Sequence, residues 1–196
     1  MARFWTSDEH FGHANIIRYC ARPFDDVAHM NRVMAENWIK TVSEDDEVHI
    51  LGDVTLGNLT EALAIVKDLP GRKTLYAGNH DQCWAGRGRR HHRFIERYMN
   101  EGGFDAILQG PQTAMVGKHA VLVSHFPYTG DSKDSDRHSE HRPIDLGLPL
   151  LHGHVHEKWL VKDRMINVGV DVWDFTPVHD DTLIQMLDNM ATGVPS

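Results

Sequence analysis

Residues 73–81 read KTLYAGNHD, a short run that ends abruptly in a glycine and three polar side chains. The run 73–77 predicts a strand, and the cluster after it predicts a functional loop. Residues 2–6 likewise predict a strand that breaks at DEHFGH, residues 8–13, and residues 47–51 predict one that ends at Gly52-Asp53. Ligands in open α/β sheets bind at the carboxyl ends of strands, where these polar clusters are expected.

The spacing of apolar residues around these strands predicts the remaining elements. Asn58 and Glu61, three residues apart, resemble a capping box that opens a helix. Other helices are predicted at residues 14–20, 30–39, 93–99 and 181–187, and later strands near Ala106 and Met115 and at residues 119–123, 148–151, 159–161 and 165–170. Turns at residues 116–118 and 162–164 predict hairpins. Strands that alternate with helices early and follow one another late predict an α/β fold of mixed sheets covered by helices.

Composition limits the classes of protein and of partner. A chain of 196 residues with 41% hydrophobic content predicts one globular domain over residues 1–196. No apolar run approaches the ~20 residues of a membrane span, and the first residues are too polar for a signal peptide. Only Cys20 and Cys83 occur, which fits a reducing, cytoplasmic location without a membrane partner. The net charge of −8 argues against broad nonspecific adhesion to nucleic acid.

Five short motifs stand in order along the chain. They are DEH at residues 8–10, GD at 52–53, GNHD at 78–81, SH at 124–125 and GHVH at 153–156. Residues i and i+2 of an extended segment point the same way, so Asp8 with His10, and His154 with His156, are each expected to present two ligand atoms to one cavity. Carboxylate, imidazole and amide ligands without thiolate favour catalytic Mn, Fe or Zn over a structural zinc.

The order and spacing of these motifs resemble the signature of the calcineurin-like metallophosphoesterases, which reads DxH, GD, GNH[DE], H and GHxH. The resemblance covers nearly the whole chain and is greatest to the small capless bacterial and phage-type members, whose sequences also resemble residues 8–13 and 167–173. It implies a metallophosphoesterase-type sandwich of two mixed β-sheets flanked by helices. It also implies hydrolysis of phosphate esters by a metal-bridging hydroxide.

The resemblance further implies a role for each motif residue. Asp8, His10 and His156 would bind one metal ion, and Asn79, His125 and His154 would bind the other. Asp53 would bridge the two ions. His80 would lie beside the scissile phosphate as proton donor or stabiliser of the transition state. The implied cofactors are two divalent transition-metal ions, with Mn preferred and Fe, Zn or Ni as alternatives.

Several residues outside the ligand set have two interpretations each. His13 is either a substrate-binding residue or a residue that caps a helix or supports a ligand. The basic cluster at residues 87–93 either grips phosphates or is a solvated helix start. Tyr128 and Trp173 either stack on a base or pack in the core. The polar segment 128–142 is expected to form a lid or rim.

The favoured function is a phosphodiesterase acting on small nucleotides or other phosphodiesters, with short single-stranded nucleic acid as a further candidate partner. A metal site with a net charge near +1 suits a singly charged diester. The alternatives are a phosphomonoesterase or protein phosphatase of the same superfamily and a non-catalytic scaffold. Protein phosphatases carry Asp-Arg-Gly after their GD motif, whereas residues 54–57 are VTLG. A monoester preference would point to Arg137 or Arg142 as an additional cation.

Overall fold

The three early strands lie side by side in one sheet of the computed structural model. These three are β1 (Arg3–Thr6), β2 (Glu47–Ile50) and β3 (Arg72–Tyr76), and the sheet also contains β4 (Phe104–Leu108) and β10 (Val178–His179). Their order is β10-β1-β2-β3-β4, with β1 to β4 parallel and β10 antiparallel to β1. The sequence did not predict β10, because two residues are too few to show alternation.

The later strands form the second sheet. They are β5 (Gln112–Val116), β6 (His119–Val123), β7 (Leu150–His152), β8 (Val161–Lys162) and β9 (Met165–Asn167), in the order β5-β6-β7-β9-β8. The predicted hairpins are confirmed, since β5 pairs antiparallel with β6 and β8 with β9. Strand β7 runs parallel to both β6 and β9, so the second sheet is also mixed.

Five α-helices accompany the sheets within the described residues, 1–133 and 137–192. They are α1 (Ala14–Tyr19), α2 (Val27–Thr41), α3 (Leu59–Lys67), α4 (His92–Gly102) and α5 (Asp180–Thr192). The capping-box prediction for α3 is wrong: Asn58 makes no side-chain cap, and its amide instead donates to Glu61 Oε1 at 2.7 Å. No helix in the described ranges has the length and apolar character needed to cross a bilayer.

The first sheet separates two hydrophobic clusters. Phe4 of β1 packs in the cluster that contains residues of α2 and α3, while its neighbour Trp5 packs in the cluster between the sheets. Leu75 and Tyr76 of β3 divide in the same way, because successive side chains of a strand point to opposite faces. The predicted α/β sandwich of two mixed sheets flanked by helices is therefore confirmed. Residues 134–136 of the predicted rim and 193–196 of the predicted domain lie outside the described residues.

Candidate metal centre

The five motifs meet where strands of both sheets end. Asp8, Asp53 and the GNHD turn follow β1, β2 and β3, while His125 and His154 follow β6 and β7. Among the hydrogen bonds that join these ends, His154 N donates to Asp8 Oδ2 at 2.9 Å, and Gly153 N donates to His125 O at 3.1 Å. Residues distant in the sequence thus become neighbours at one edge of the sandwich.

Left-handed backbone conformations occur at several candidate ligand positions. Five non-glycine motif residues have positive φ: 61° at Asp8, 55° at His10, 55° at Asp53, 72° at His154 and 52° at His156. A non-glycine residue in this region costs of order 1–3 kcal/mol, and such strain clusters at functional sites. Strand alternation was the wrong explanation for how Asp8 with His10, and His154 with His156, are oriented. Strands β1 and β7 end before Asp8 and His154, so these pairs do not lie in extended strands.

Glycine is required where the motif backbones approach one another. A Cβ atom on Gly52, which has a φ of 94°, would lie 2.7 Å from both Gly78 Cα and His125 Nδ1. A Cβ atom on Gly153 would collide with the side chains of Ser7 and Asp8. These contacts explain why GD and GHVH contain glycine beside the ligand residue.

Asp53 lies between two groups of potential ligands. Its Oδ2 is 3.8 Å from His10 Nε2 and 3.5 Å from His125 Nε2. Burial by itself would raise the pKa of Asp53, but the imidazole of His125, followed by those of His80 and His10, holds it well below its usual range. The carboxylate therefore faces both groups in its charged form.

The first group consists of Asp8, His10 and His156, whose ligand atoms lie within 4.8 Å of one another. Among the described residues, Asp8 Oδ1 and both ring nitrogens of His10 are buried without a hydrogen-bond partner. Buried polar atoms are rarely left in this state, and ligation of a cation would satisfy Asp8 Oδ1 and one of the two nitrogens of His10. The donor set of one carboxylate and two imidazoles fits a divalent transition metal.

The second group consists of Asn79, His125 and His154. Asn79 Oδ1 lies 3.2 Å from His125 Nε2, and the rings of His125 and His154 are 5.2 Å apart. His125 Nδ1 is 2.7 Å from Leu51 O, and His154 Nε2 is 3.3 Å from Asp131 Oδ2. A metal-binding histidine commonly donates its other N–H to a carbonyl or carboxylate, so both rings are oriented as ligands would be.

Nearby carboxylates favour positive charge at one histidine of each group. Burial would lower the pKa of His125, yet Asp53 raises it to about 9. The pKa of His156 is likewise raised well above its usual value, because Asp8 and Asp171 outweigh the effect of burial. These two positions thus attract positive charge, which metal ions would supply when bound.

His80 and His13 face a cavity of about 340 Å³ that His10 and His156 of the first group also line. The backbone N of His80 donates to Asp53 Oδ1 at 2.7 Å, which fixes its position, while its side chain remains 39% exposed. His13 occupies the N-cap position of α1, as the capping interpretation predicted, but its side chain makes no cap hydrogen bond. Burial, followed by the charge of His80, lowers the pKa of His13 to about 4. Its role in substrate binding stays a prediction.

Sequence reasoning missed several residues that support the ligands. Arg22, buried on its whole side chain, pairs with Asp171 at 2.8 Å and donates to the backbone oxygens of Asp8 and Glu9. Asp171 Oδ2 lies 3.3 Å from His156 Nδ1. Arg22 belongs to no motif, and the resemblance of residues 167–173 gave Asp171 no role, because the two residues meet only when the chain folds back over 149 residues.

Side-chain hydrogen bonds made by Asp81 and Arg87 hold the GNHD turn in place. Asp81 Oδ2 accepts from the backbone N–H groups of Asp53 and Gly78, each at 2.8 Å. Arg87 donates to the backbone oxygens of Asn79, His80 and Asp81 at 3.0 to 3.2 Å. Neither interpretation of the basic cluster anticipated this structural role of Arg87.

The remaining candidates separate into core and cavity residues. Tyr128 is buried against Leu150 and Met165, and the indole N–H of Trp173 donates to Asn167 O at 2.8 Å. Tyr128 therefore packs inside the protein, and Trp173 is half-buried against the cluster between the sheets. Arg137 lines the cavity and pairs with Asp131 at 2.6 Å, whereas the side chain of Arg142 is buried beside Asp131.

Relatives of the chain occur in bacteriophages. The gene 66 protein of Mycobacterium phage L5 is 37% identical, and the match covers 88% of this chain and 88% of the relative. The gene 66 protein of Mycobacterium phage D29 is 36% identical over 99% of this chain and 100% of its own length. The chain belongs to the mycobacteriophage gene 66 protein family.

The chain is also similar to the solved structure of a protein of unknown function from Aquifex aeolicus. It is 26% identical, with a TM-score of 0.71 over 94% of this chain and 98% of that protein. No family model matches the chain. The names of these relatives state no activity, so the chemistry of the site residues is the basis for a function.

Proposed function

We propose that the protein is a dinuclear metal-dependent phosphoesterase that hydrolyses nucleotide-like phosphodiesters. The main support is the position of Asp53, whose Oδ2 lies 3.8 Å from His10 Nε2 and 3.5 Å from His125 Nε2. One buried carboxylate thus faces both ligand groups. Two-metal phosphoesterases need such a shared ligand, because their ions lie only about 3.5–4 Å apart.

The proposed ligands are divided between the two ions with Asp53 common to both. Asp8, His10 and His156 hold the first ion, and Asn79, His125 and His154 hold the second. Mn is the preferred metal, with Fe, Zn and Ni as alternatives for this mixed oxygen and nitrogen set. Bound ions would lower the pKa of water and stabilise charge on the phosphoryl oxygens.

His80 is the proposed catalytic residue. Its backbone is bound to Asp53, and its ring lines the cavity in which a phosphate ester would meet the ligand groups. From this position the imidazole donates a proton to the leaving oxygen or a hydrogen bond to the charge that develops on phosphorus. His13, at 5.4 Å ring to ring from His10, is the proposed substrate-binding neighbour.

The preference for diesters follows from charge. Two divalent ions, two carboxylates and a bound hydroxide would give a centre with a net charge of about +1. A diester carries one negative charge and a monoester approaches two at neutral pH, so the diester is compensated more completely.

The test combines metal analysis with a matched pair of esters. We expect a chelator to remove metal and activity together, and Mn²⁺ to restore both. The value of kcat/KM should be higher on bis(p-nitrophenyl) phosphate than on p-nitrophenyl phosphate. Full activity without metal would contradict the mechanism. A monoester preference would support the phosphomonoesterase alternative, and two bound metals without turnover of any ester would support the scaffold.

A further inference from the structure

The cavity beside the ligand groups has two walls of different chemistry. The residues that α1 contributes are Ile16 and Tyr19, with Cys20 directly after the helix. The other side is polar and includes Ser132, Arg137 and Glu157. The two ester arms of a bound diester would therefore meet different surroundings.

Tyr19 presents an aromatic ring to this cavity. It is 61% exposed and lines the cavity. Ile16, one turn earlier on the same helix, is buried and lines the same cavity. The guanidinium of Arg18 lies 5.5 Å from the centroid of the Tyr19 ring, and the centroid of the His13 ring lies 6.2 Å from it in a T-shaped arrangement.

The size of the cavity suits a nucleotide. About 340 Å³ lies within the range of small-molecule sites, roughly 300–1,000 Å³. Aromatic rings stack on nucleobases whatever their sequence, because every base has a π-face. Tyr128 and Trp173 were the residues for which the sequence suggested base stacking, but Tyr128 is buried, Trp173 is half-buried, and neither lines this cavity.

We infer that Tyr19 and Ile16 form a nucleobase subsite beside the proposed metal centre. The inference rests on the proposed function for the orientation of the ester, with the phosphate at the ligand groups and the base against α1. The other ester arm lies along the polar wall. The protein then selects phosphodiesters in which at least one arm is a nucleoside.

The experiment compares two esters that differ only in the base. They are the p-nitrophenyl esters of thymidine 5′-phosphate and of the same sugar phosphate without a base. Stacking predicts that the base raises kcat/KM about tenfold. Tyr19→Ala should bring the ratio of kcat/KM with the base to kcat/KM without it close to one. Tyr19→Phe should keep this ratio, since stacking needs the ring and not the hydroxyl.

Ile39→Ala provides the matched control. Ile39 is also a large exposed apolar residue, at 57%, but it lies on α2 and does not line this cavity. It should leave the ratio unchanged. Three results would overturn the subsite. The ratio of kcat/KM with and without the base could fall equally in Ile39→Ala, it could be one in the wild type, or it could stay undiminished in Tyr19→Ala.

Calorimetric binding separates the subsite from the proposed function. The dissociation constants of thymidine 5′-monophosphate and of its base-free analogue should differ in the wild type and converge in Tyr19→Ala. If this difference holds while no ester is hydrolysed, the subsite stands and the phosphodiesterase proposal fails. If diesters are hydrolysed but the base changes neither binding nor turnover, the subsite is wrong and the proposed function stands.

Discussion

At the scale of single residues, we expect a change at Asp53 to damage the proposed site most. We expect Asp53→Asn to lose the bound metal ions and nearly all turnover, because the amide removes the only proposed bridging charge. Metal content per chain and kcat on bis(p-nitrophenyl) phosphate test this. Glu47→Gln, an exposed carboxylate change on β2, is the control and should retain both. Two tightly bound ions in the Asp53 variant would refute the bridging role.

His80 should separate catalysis from metal binding. We expect His80→Ala to keep its metals, since the ring of His80 is not a proposed ligand, and to lower kcat by about 10²-fold on an ester with a poor leaving group. The loss should be smaller with a good leaving group, which needs no proton. Metal analysis and a series of leaving groups measure these effects. Loss of metal, or an equal loss across the series, would argue for a different role.

At the scale of elements, Arg87 is expected to position the turn after β3. Its three bonds to backbone oxygens hold the residues that carry Asn79 and His80. We predict that Arg87→Ala lowers kcat about tenfold and weakens retention of one metal ion, because small displacements of catalytic groups reduce rates strongly. KM should change less. Arg89→Ala, an exposed change in the same short segment, should do neither. Identical behaviour of the two variants would contradict positioning by Arg87.

At the scale of the whole molecule, we predict that the titration of His49 makes the stability of the fold depend on pH. Its ring stacks on Trp5 at 4.4 Å, and burial, with Arg3 nearby, lowers its pKa to about 4 from an ordinary value of 6.5. The unfolded chain therefore takes up a proton more readily than the folded protein. The stability conferred by neutral His49 is complete above about pH 6.5 and is lost as the pH falls toward 4.

Urea unfolding with a chelator present, between pH 4 and pH 7.5, measures this effect. The free energy of unfolding should decline as the pH falls, and His49→Gln should reduce the slope of that decline. His92→Gln, on an exposed residue, should leave the slope unchanged. An unaltered slope in the His49 variant would show that protonation of other groups causes the decline.

Much of the architecture could be predicted from the sequence, because the evidence for it is local. The runs of β1, β2 and β3 are short and bounded by glycine and polar residues, and α2 repeats its buried residues Met30, Met34 and Trp38 every fourth position. The motifs that end these strands also identify the candidate ligands. Periodicity and punctuation are properties of neighbouring residues, so a single chain displays them.

The sequence by itself determined the class of fold, the candidate ligand residues and the chemistry that such ligands favour. Tertiary structure decided which groups face one another. It placed Asp53 between His10 and His125 and joined Arg22 to Asp171. It also turned Tyr19 toward the cavity, while Tyr128 is buried and Trp173 packs half-buried against the other core cluster. The physical reason is that these contacts depend on left-handed turns and on the meeting of two sheets. Neither leaves a periodic trace in the residues concerned.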